Sequence, residues 1–221
     1  MRIEMRGISK SFGSNQVLEK IDLVIESGQV HALMGENGAG KSTLMNILTG
    51  LFPATTGTIL IDNQEIAFSN PQIAEEAGLS FIHQEMNTWS EMTVLENLFL
   101  GRELKTPIGF LDQKAMKLKA QAVFNRLGIN IPLDTIISQL SVGQQQMIEI
   151  AKSLLSEISI LIMDEPTAAL TDRETETLFN IISSLKNEGV GIVYISHRME
   201  EIFKITDLVT VMRDGVVVDT K

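Results

Sequence analysis

A short apolar run, Val30-His31-Ala32-Leu33-Met34, stops at Gly35-Glu36-Asn37-Gly38-Ala39-Gly40-Lys41-Ser42, and a stripe at helical spacing, Leu44, Ile47 and Leu48, follows up to Gly50. Strand, glycine-rich loop and helix in that order leave few folds open, because the loop fits the pattern G-x-x-x-x-G-K-S. Glycines let backbone N–H groups converge on phosphate oxygens, and the helix that follows presents its positive end to them. On this reading Lys41 holds the β and γ phosphates of a nucleotide and Ser42 ligates Mg²⁺.

The rest of the chain narrows the class further. With 221 residues, 44% of them hydrophobic, it is long enough to bury a full core and short enough for one folding unit. It has no cysteine, which excludes a disulfide scaffold and a thiolate metal site. A formal net charge of −10 argues against a surface that tracks DNA or RNA phosphates, so no nucleic-acid partner is expected. No run approaches the roughly 20 apolar residues needed to cross a bilayer, so any membrane connection is expected through a partner. The opening MRIEMRGISKSFG also lacks the apolar segment of a signal peptide.

Along the chain, Met1, Ile3 and Met5, then Val17, Ile21, Leu23 and Ile25, alternate with polar residues around turns at Gly13-Ser14-Asn15 and Ser27-Gly28, which predicts a small antiparallel layer. An edge strand is expected at Gly57 to Ile61 and a buried strand at Leu79 to His83. Between them Asn70-Pro71 opens a helix that ends before Gly78. The middle reads as helical. Thr93 with Glu96 forms a capping box before a helix stopped by Gly101, and Asp112 caps another whose stripe is Met116, Ala120, Val123, Phe124 and Leu127. Alternation returns with a strand at Ile158 to Met163, a helix capped by Thr171 and Glu174, a strand at Gly191 to Ser196, and a hairpin from Leu208 to Val218 turning at Asp214-Gly215. The order predicts an α/β core with a mostly parallel sheet, an antiparallel β layer and a helical lobe over about 86–156.

Chemistry gathers at strand ends. Ser159 to Met163 is an apolar run ending in Asp164-Glu165, and a buried parallel strand that delivers carboxylates at its C-terminal end does so where α/β sheets bind ligands. Asp164 suits the Mg²⁺ shell, and Glu165, turned by alternation to the opposite face, suits a general base for the attacking water. Gln84 and His197 each follow a short apolar strand, which fits either membership of the same site or an ordinary hydrogen-bonded surface position. Leu140-Ser141-Val142-Gly143-Gln144 has capping-box spacing before the stripe Met147, Ile150, Ala151 and Leu154, so it is either a well-capped helix start or a second phosphate-binding terminus. His31 and His83 have no supporting pattern and are read as structural.

In this order the motifs resemble the ATP-binding cassette family over nearly the whole chain. The resemblance assigns the phosphate loop to Gly35 through Thr43, so that Glu36, Asn37, Gly38, Ala39, Gly40 and Thr43 join Gly35, Lys41 and Ser42 as ATP-binding positions. It makes Gln84 the Q-loop residue at the metal, Leu140 to Gln144 the signature, Asp164-Glu165 the Walker B end and His197 the switch histidine, and it places Phe12 under the adenine. It implies a P-loop ATPase whose catalytic set is Glu165, His197, Lys41 and Gln84, with ATP and Mg²⁺ bound. Two such cassettes pair head to tail, so that Ser141, Gly143 and Gln144 of one bind the γ phosphate held by Lys41 of the other.

The segments from Leu140 to Met147, Asp164 to Thr171 and Ile195 to Phe203 are similar to the first cassette of bacterial monosaccharide importers of the ribose, galactose and xylose type. Those importers fuse two cassettes in one chain, which suggests that 1–221 is a single cassette domain and an N-terminal half. The implied partners are a second cassette, membrane permease subunits and, indirectly, a sugar-binding protein. The implied place is peripheral, at the cytoplasmic face of the bacterial inner membrane. Two positions depart from the family pattern: Val142 stands where glycine is usual in the signature, and Thr171 where aspartate is common after Walker B.

Overall fold

The computed structural model describes residues 1–84 and 87–221. Met86, the expected start of the helical lobe, lies outside them.

Two sheets organise the described residues. In the first, β1 (Arg2–Phe12), β2 (Asn15–Glu26), β4 (Thr56–Ile61) and the short β5 (Gln64–Ile66) pair antiparallel in the order β2-β1-β4-β5. The alternation read in the sequence is the burial pattern itself: Ile3, Met5, Ile8, Ile21, Leu23 and Ile25 face inward while their neighbours face water.

The second sheet runs β10-β9-β3-β8-β7-β6. Four consecutive strands, β3 (Val30–Met34), β8 (Gly191–Ile195), β7 (Ile160–Asp164) and β6 (Leu79–Ile82), run parallel to one another, with β6 at the edge. β9 (Leu208–Arg213) is parallel to β3 and returns through Asp214-Gly215 as β10 (Val216–Thr220). Asp214 takes the left-handed conformation, φ 50°, that a tight Asp-Gly hairpin requires.

Continuous apolar strands mean that both faces of this sheet are covered. On one side Ile160, Ile162, Val193 and Ile195 pack with the antiparallel sheet and with α1 (Lys41–Leu48). On the other, Leu161, Met163, Ile192 and Tyr194 pack against helices. These are α3 (Val94–Phe99), α4 (Gln113–Leu127), α5 (Val142–Ser153) and α6 (Asp172–Asn187). α3, α4 and α5 form the strand-poor middle of the chain, and their buried residues belong to the same cluster as the sheet face, so the helical stretch shares its core with the α/β body. Two further α-helices, α2 (Pro71–Glu76) and α7 (Met199–Ile205), and a 3₁₀ turn at Ile137–Gln139 complete the described helices. The parallel order brings the carboxyl ends of β3, β6, β7 and β8 to one edge, the usual place for a ligand in an α/β sheet.

Candidate nucleotide site

The loop after β3 enters α1 at Gly40, whose φ of 97° is left-handed. A Cβ there would lie 2.5 Å from Leu18 Cδ2 and 3.2 Å from the Val17 carbonyl, so the antiparallel sheet presses on the loop at the position where only glycine fits. Lys41 is buried, and its ammonium donates to the carbonyls of Gly35 at 2.8 Å and Glu36 at 2.9 Å. Burial pushes the Lys41 pKa down, opposed by the negative charges of Asp164 and Glu165. The cation is thus held inside the loop it would share with phosphate.

Ser42 donates its hydroxyl proton to Asp164 Oδ2 at 2.6 Å, joining the start of α1 to the end of β7. Asp164 is buried, which pushes its carboxyl pKa up, while the Ser42 hydrogen bond pulls the other way. A hydroxyl and a carboxylate oxygen this close are a hard-oxygen pair suited to Mg²⁺, an ion that takes few protein ligands and fills its shell with phosphate oxygens and water. Two protein oxygens leave most of an octahedral shell open, so the donor set fits a metal that shares its ligands with a nucleotide.

Alternation along β7 predicts Glu165 on the face opposite Asp164, but the chain has already left the strand. Glu165 has a left-handed φ of 47°, its N–H donates to the Ile195 carbonyl at 2.9 Å, and both carboxylates line one cavity. His197, just past β8, places Nδ1 at 3.0 Å from Glu165 Oε1. The cavity, about 450 Å³, is bounded by Asn37, Gly38, Gly40 to Thr43, Asp164 and Glu165, together with Gln84 from the end of β6 and Val17 from β2. Gln84 thus lines the same cavity as Asp164 and Glu165, and His197 adjoins it through its contact with Glu165. The sequence marks Val17 only as a strand residue; its sign is the short hairpin at Gly13-Ser14, which pairs β2 with β1 and brings it beside the loop.

Phe12 lies outside that wall. Its ring is 49% exposed at the end of β1, edge-on to Phe52 with centroids 5.4 Å apart, and the Lys10 ammonium sits 5.0 Å from its centre. Ser141, Gly143 and Gln144 are elsewhere again. Ser141 caps α5 in a full capping box with Gln144 and donates its hydroxyl to Glu174 Oε1 at 3.1 Å. Gly143 and Gln144 line a separate cavity of about 380 Å³ with Arg173 and Glu174, sharing no residue with the phosphate-loop cavity. Glu174, whose sequence signal was only its capping-box spacing from Thr171, therefore joins the starts of α5 and α6. Val142 opens α5 with its side chain exposed, and Thr171 caps α6 with Glu174.

The family model described as ABC transporter matches residues 18–168. Over the full chain the sequence is 79% identical to a protein of Streptococcus agalactiae and 58% to one of Bacillus subtilis, each named ribose import ATP-binding protein RbsA. The chain spans 45% of the length of each of these relatives. Its fold superposes on a nucleotide-free ATP-binding cassette from an ABC transporter with a TM-score of 0.89 at 27% identity, covering 100% of this chain and 91% of that one. A structure of the ADP conformation of MJ1267, an ATP-binding cassette of an ABC transporter, gives the same TM-score at 28% identity and the same coverage. Sequence, fold and the order of strand-end residues agree, and the chain belongs to the family of ABC transporter ATP-binding cassettes.

Proposed function

We propose that this cassette hydrolyses ATP to power the import of a monosaccharide, ribose by the name its relatives carry, through a membrane permease. The observation that carries the reading is the convergence on one sheet edge of an ammonium in a phosphate loop, the Ser42–Asp164 pair at 2.6 Å and the Glu165–His197 pair at 3.0 Å. In this mechanism the γ phosphate takes the place of the Gly35 and Glu36 carbonyls as the partner of Lys41, and loop N–H groups with the first turn of α1 spread its charge. Ser42 and Asp164, with Gln84 beside them, would hold Mg²⁺, which would supply positive charge to the nucleotide phosphates. Glu165 accepts a proton from the attacking water, and His197, hydrogen-bonded to Glu165, orients that carboxylate and faces the γ phosphate. Phe12 stacks on adenine.

The separation of the Ser141–Gly143 cavity from the phosphate-loop cavity supports a site completed by a second cassette, whose α5 terminus supplies the missing donors. Closure on ATP and opening after hydrolysis then move the permease, with Gln84 and the helical stretch as the coupling face and a sugar-binding protein delivering cargo from outside. No helix among the described residues is long and apolar enough to cross a membrane, in keeping with a peripheral subunit at the cytoplasmic face of the cell membrane.

The test is Mg-ATP hydrolysis per chain over a wide range of protein concentration, with Glu165→Gln as control. A rate that climbs with concentration and drops about a hundredfold or more in the mutant, with ATP binding kept, supports both the base and the composite site. An unchanged rate in Glu165→Gln discards Glu165 as the base, and a rate independent of concentration discards the two-cassette site.

A further inference from the structure

Behind the site lies a carboxylate that touches neither the loop nor the Ser42–Asp164 pair. Glu201, on α7, is 4% exposed, yet it collects hydrogen bonds from several directions. Its Oε2 accepts from Thr167 Oγ1 at 2.8 Å, Tyr194 OH at 2.7 Å and Ser196 Oγ at 3.3 Å, and its Oε1 forms an ion pair with the Arg198 guanidinium at 2.6 Å. Ser196 Oγ in turn accepts the Arg198 backbone N–H at 3.0 Å. Thr167, Tyr194 and Ser196 are themselves buried. Burial pushes the Tyr194 pKa up, so its hydroxyl stays a donor to the carboxylate.

The placement of these donors in the chain matters more than their number. Thr167 lies two residues after Glu165, while Ser196 and Arg198 flank His197 on either side. Both segments leave the sheet at the ends of neighbouring strands, and Glu165 does so in a left-handed conformation that surrounding structure must hold. Burying a carboxylate costs several kcal/mol unless it is paired and hydrogen-bonded, and an apolar residue fills such a space at no such cost. This buried charge instead joins the two turns that bear Glu165 and His197.

We propose that Glu201 is a positioning residue for hydrolysis: through Thr167 on one side and Ser196 and Arg198 on the other, it fixes the 3.0 Å contact between Glu165 and His197. The inference rests on the reading above that this pair acts at the γ phosphate. It assigns Glu201 no contact with nucleotide. Its loss acts on the orientation of the pair, and a displacement near 1 Å is enough to cost on the order of a hundredfold in rate.

The experiment is Glu201→Gln, which keeps the volume and removes the charge and one acceptor. In the full protein with its partner cassette, kcat for Mg-ATP is expected to fall by about tenfold to a hundredfold while KM and the affinity for a fluorescent ATP analogue change by less than about twofold. In a His197→Ala background the same substitution is expected to cost little more, because both changes break one unit. Fully additive losses, or an equal loss of nucleotide affinity, overturn the proposal. Tyr194→Phe, which removes one donor and leaves the charge, provides a milder probe should Glu201→Gln not fold; it is expected to lower kcat in the same sense, and an unchanged kcat counts against the network.

A readout independent of hydrolysis separates this proposal from the function itself. The chain has three histidines, so the His197 ring signals can be followed by NMR. They are expected to respond to Glu165→Gln in the parent and to lose that response in Glu201→Gln. A response that survives in Glu201→Gln refutes the positioning role, whereas normal hydrolysis in Glu165→Gln refutes the mechanism and leaves this measurement standing.

Discussion

Phe12 has a half-exposed ring, braced edge-on by Phe52 and approached by Lys10, so little of its area is committed to the core. An adenine laid on its free face gains stacking contacts without unpacking anything. Phe12→Ala is expected to weaken ATP binding by about 1 kcal/mol, roughly fivefold, while leaving the unfolding midpoint nearly unchanged; isothermal titration alongside thermal unfolding checks both halves. The adenine role proposed for this ring comes only from family resemblance, since a strand aromatic beside a turn carries no signal of its own, and its brace Phe52 lies too far along the chain to be paired with it by pattern. The phosphate loop, by contrast, was legible outright because its function depends on local backbone geometry. Glu165 marks the limit of such reading: alternation holds only while the strand continues, and the left-handed step at φ 47° turns the side chain into the cavity that Asp164 also lines.

At the scale of elements, helix starts were the most readable feature. Thr93 with Glu96, Ser141 with Gln144 and Thr171 with Glu174 each make both reciprocal capping bonds, because the contact spans only three residues and needs no tertiary support. What spacing cannot reveal is the second use of Glu174: one carboxylate oxygen serves the Thr171 cap, and the other takes the Ser141 hydroxyl proton from 33 residues away. Thr171 therefore replaces the common aspartate without loss of capping. Thr171→Ala is expected to destabilise the fold by about 1 kcal/mol, seen as a lower denaturant midpoint with an unchanged slope, whereas Thr171→Asp is expected to stay within about 0.5 kcal/mol of the parent. α7 escaped sequence reading because only Glu201 and Ile202 of its residues are buried, while Met199 and Phe203 face outward, so no apolar stripe marks it. The three-residue β5 was too short to leave a pattern.

For the molecule as a whole, the main sheet is a wall between two cores, and β7 and β8 send alternate side chains into each. That is why their sequences read as unbroken apolar runs, and why the continuity of the helical stretch with the sheet core could not be read from helix patterns alone. His31 belongs to this wall. It is buried in β3, with Nε2 at 2.7 Å from Thr210 Oγ1 of β9, and burial pushes its pKa from 6.5 down to about 4. The folded state therefore binds fewer protons than the unfolded chain between those values, and stability must fall as pH drops through that window. Between pH 7 and pH 5 the loss attributable to this one ring is about 2 kcal/mol, set by about 1.4 kcal/mol per pH unit once the unfolded histidine titrates. His31→Gln keeps a polar contact to Thr210 but cannot titrate, so its denaturant stability is expected to decline less over the same range. An equal decline in parent and variant would mean that His31 takes up its proton without opening the wall.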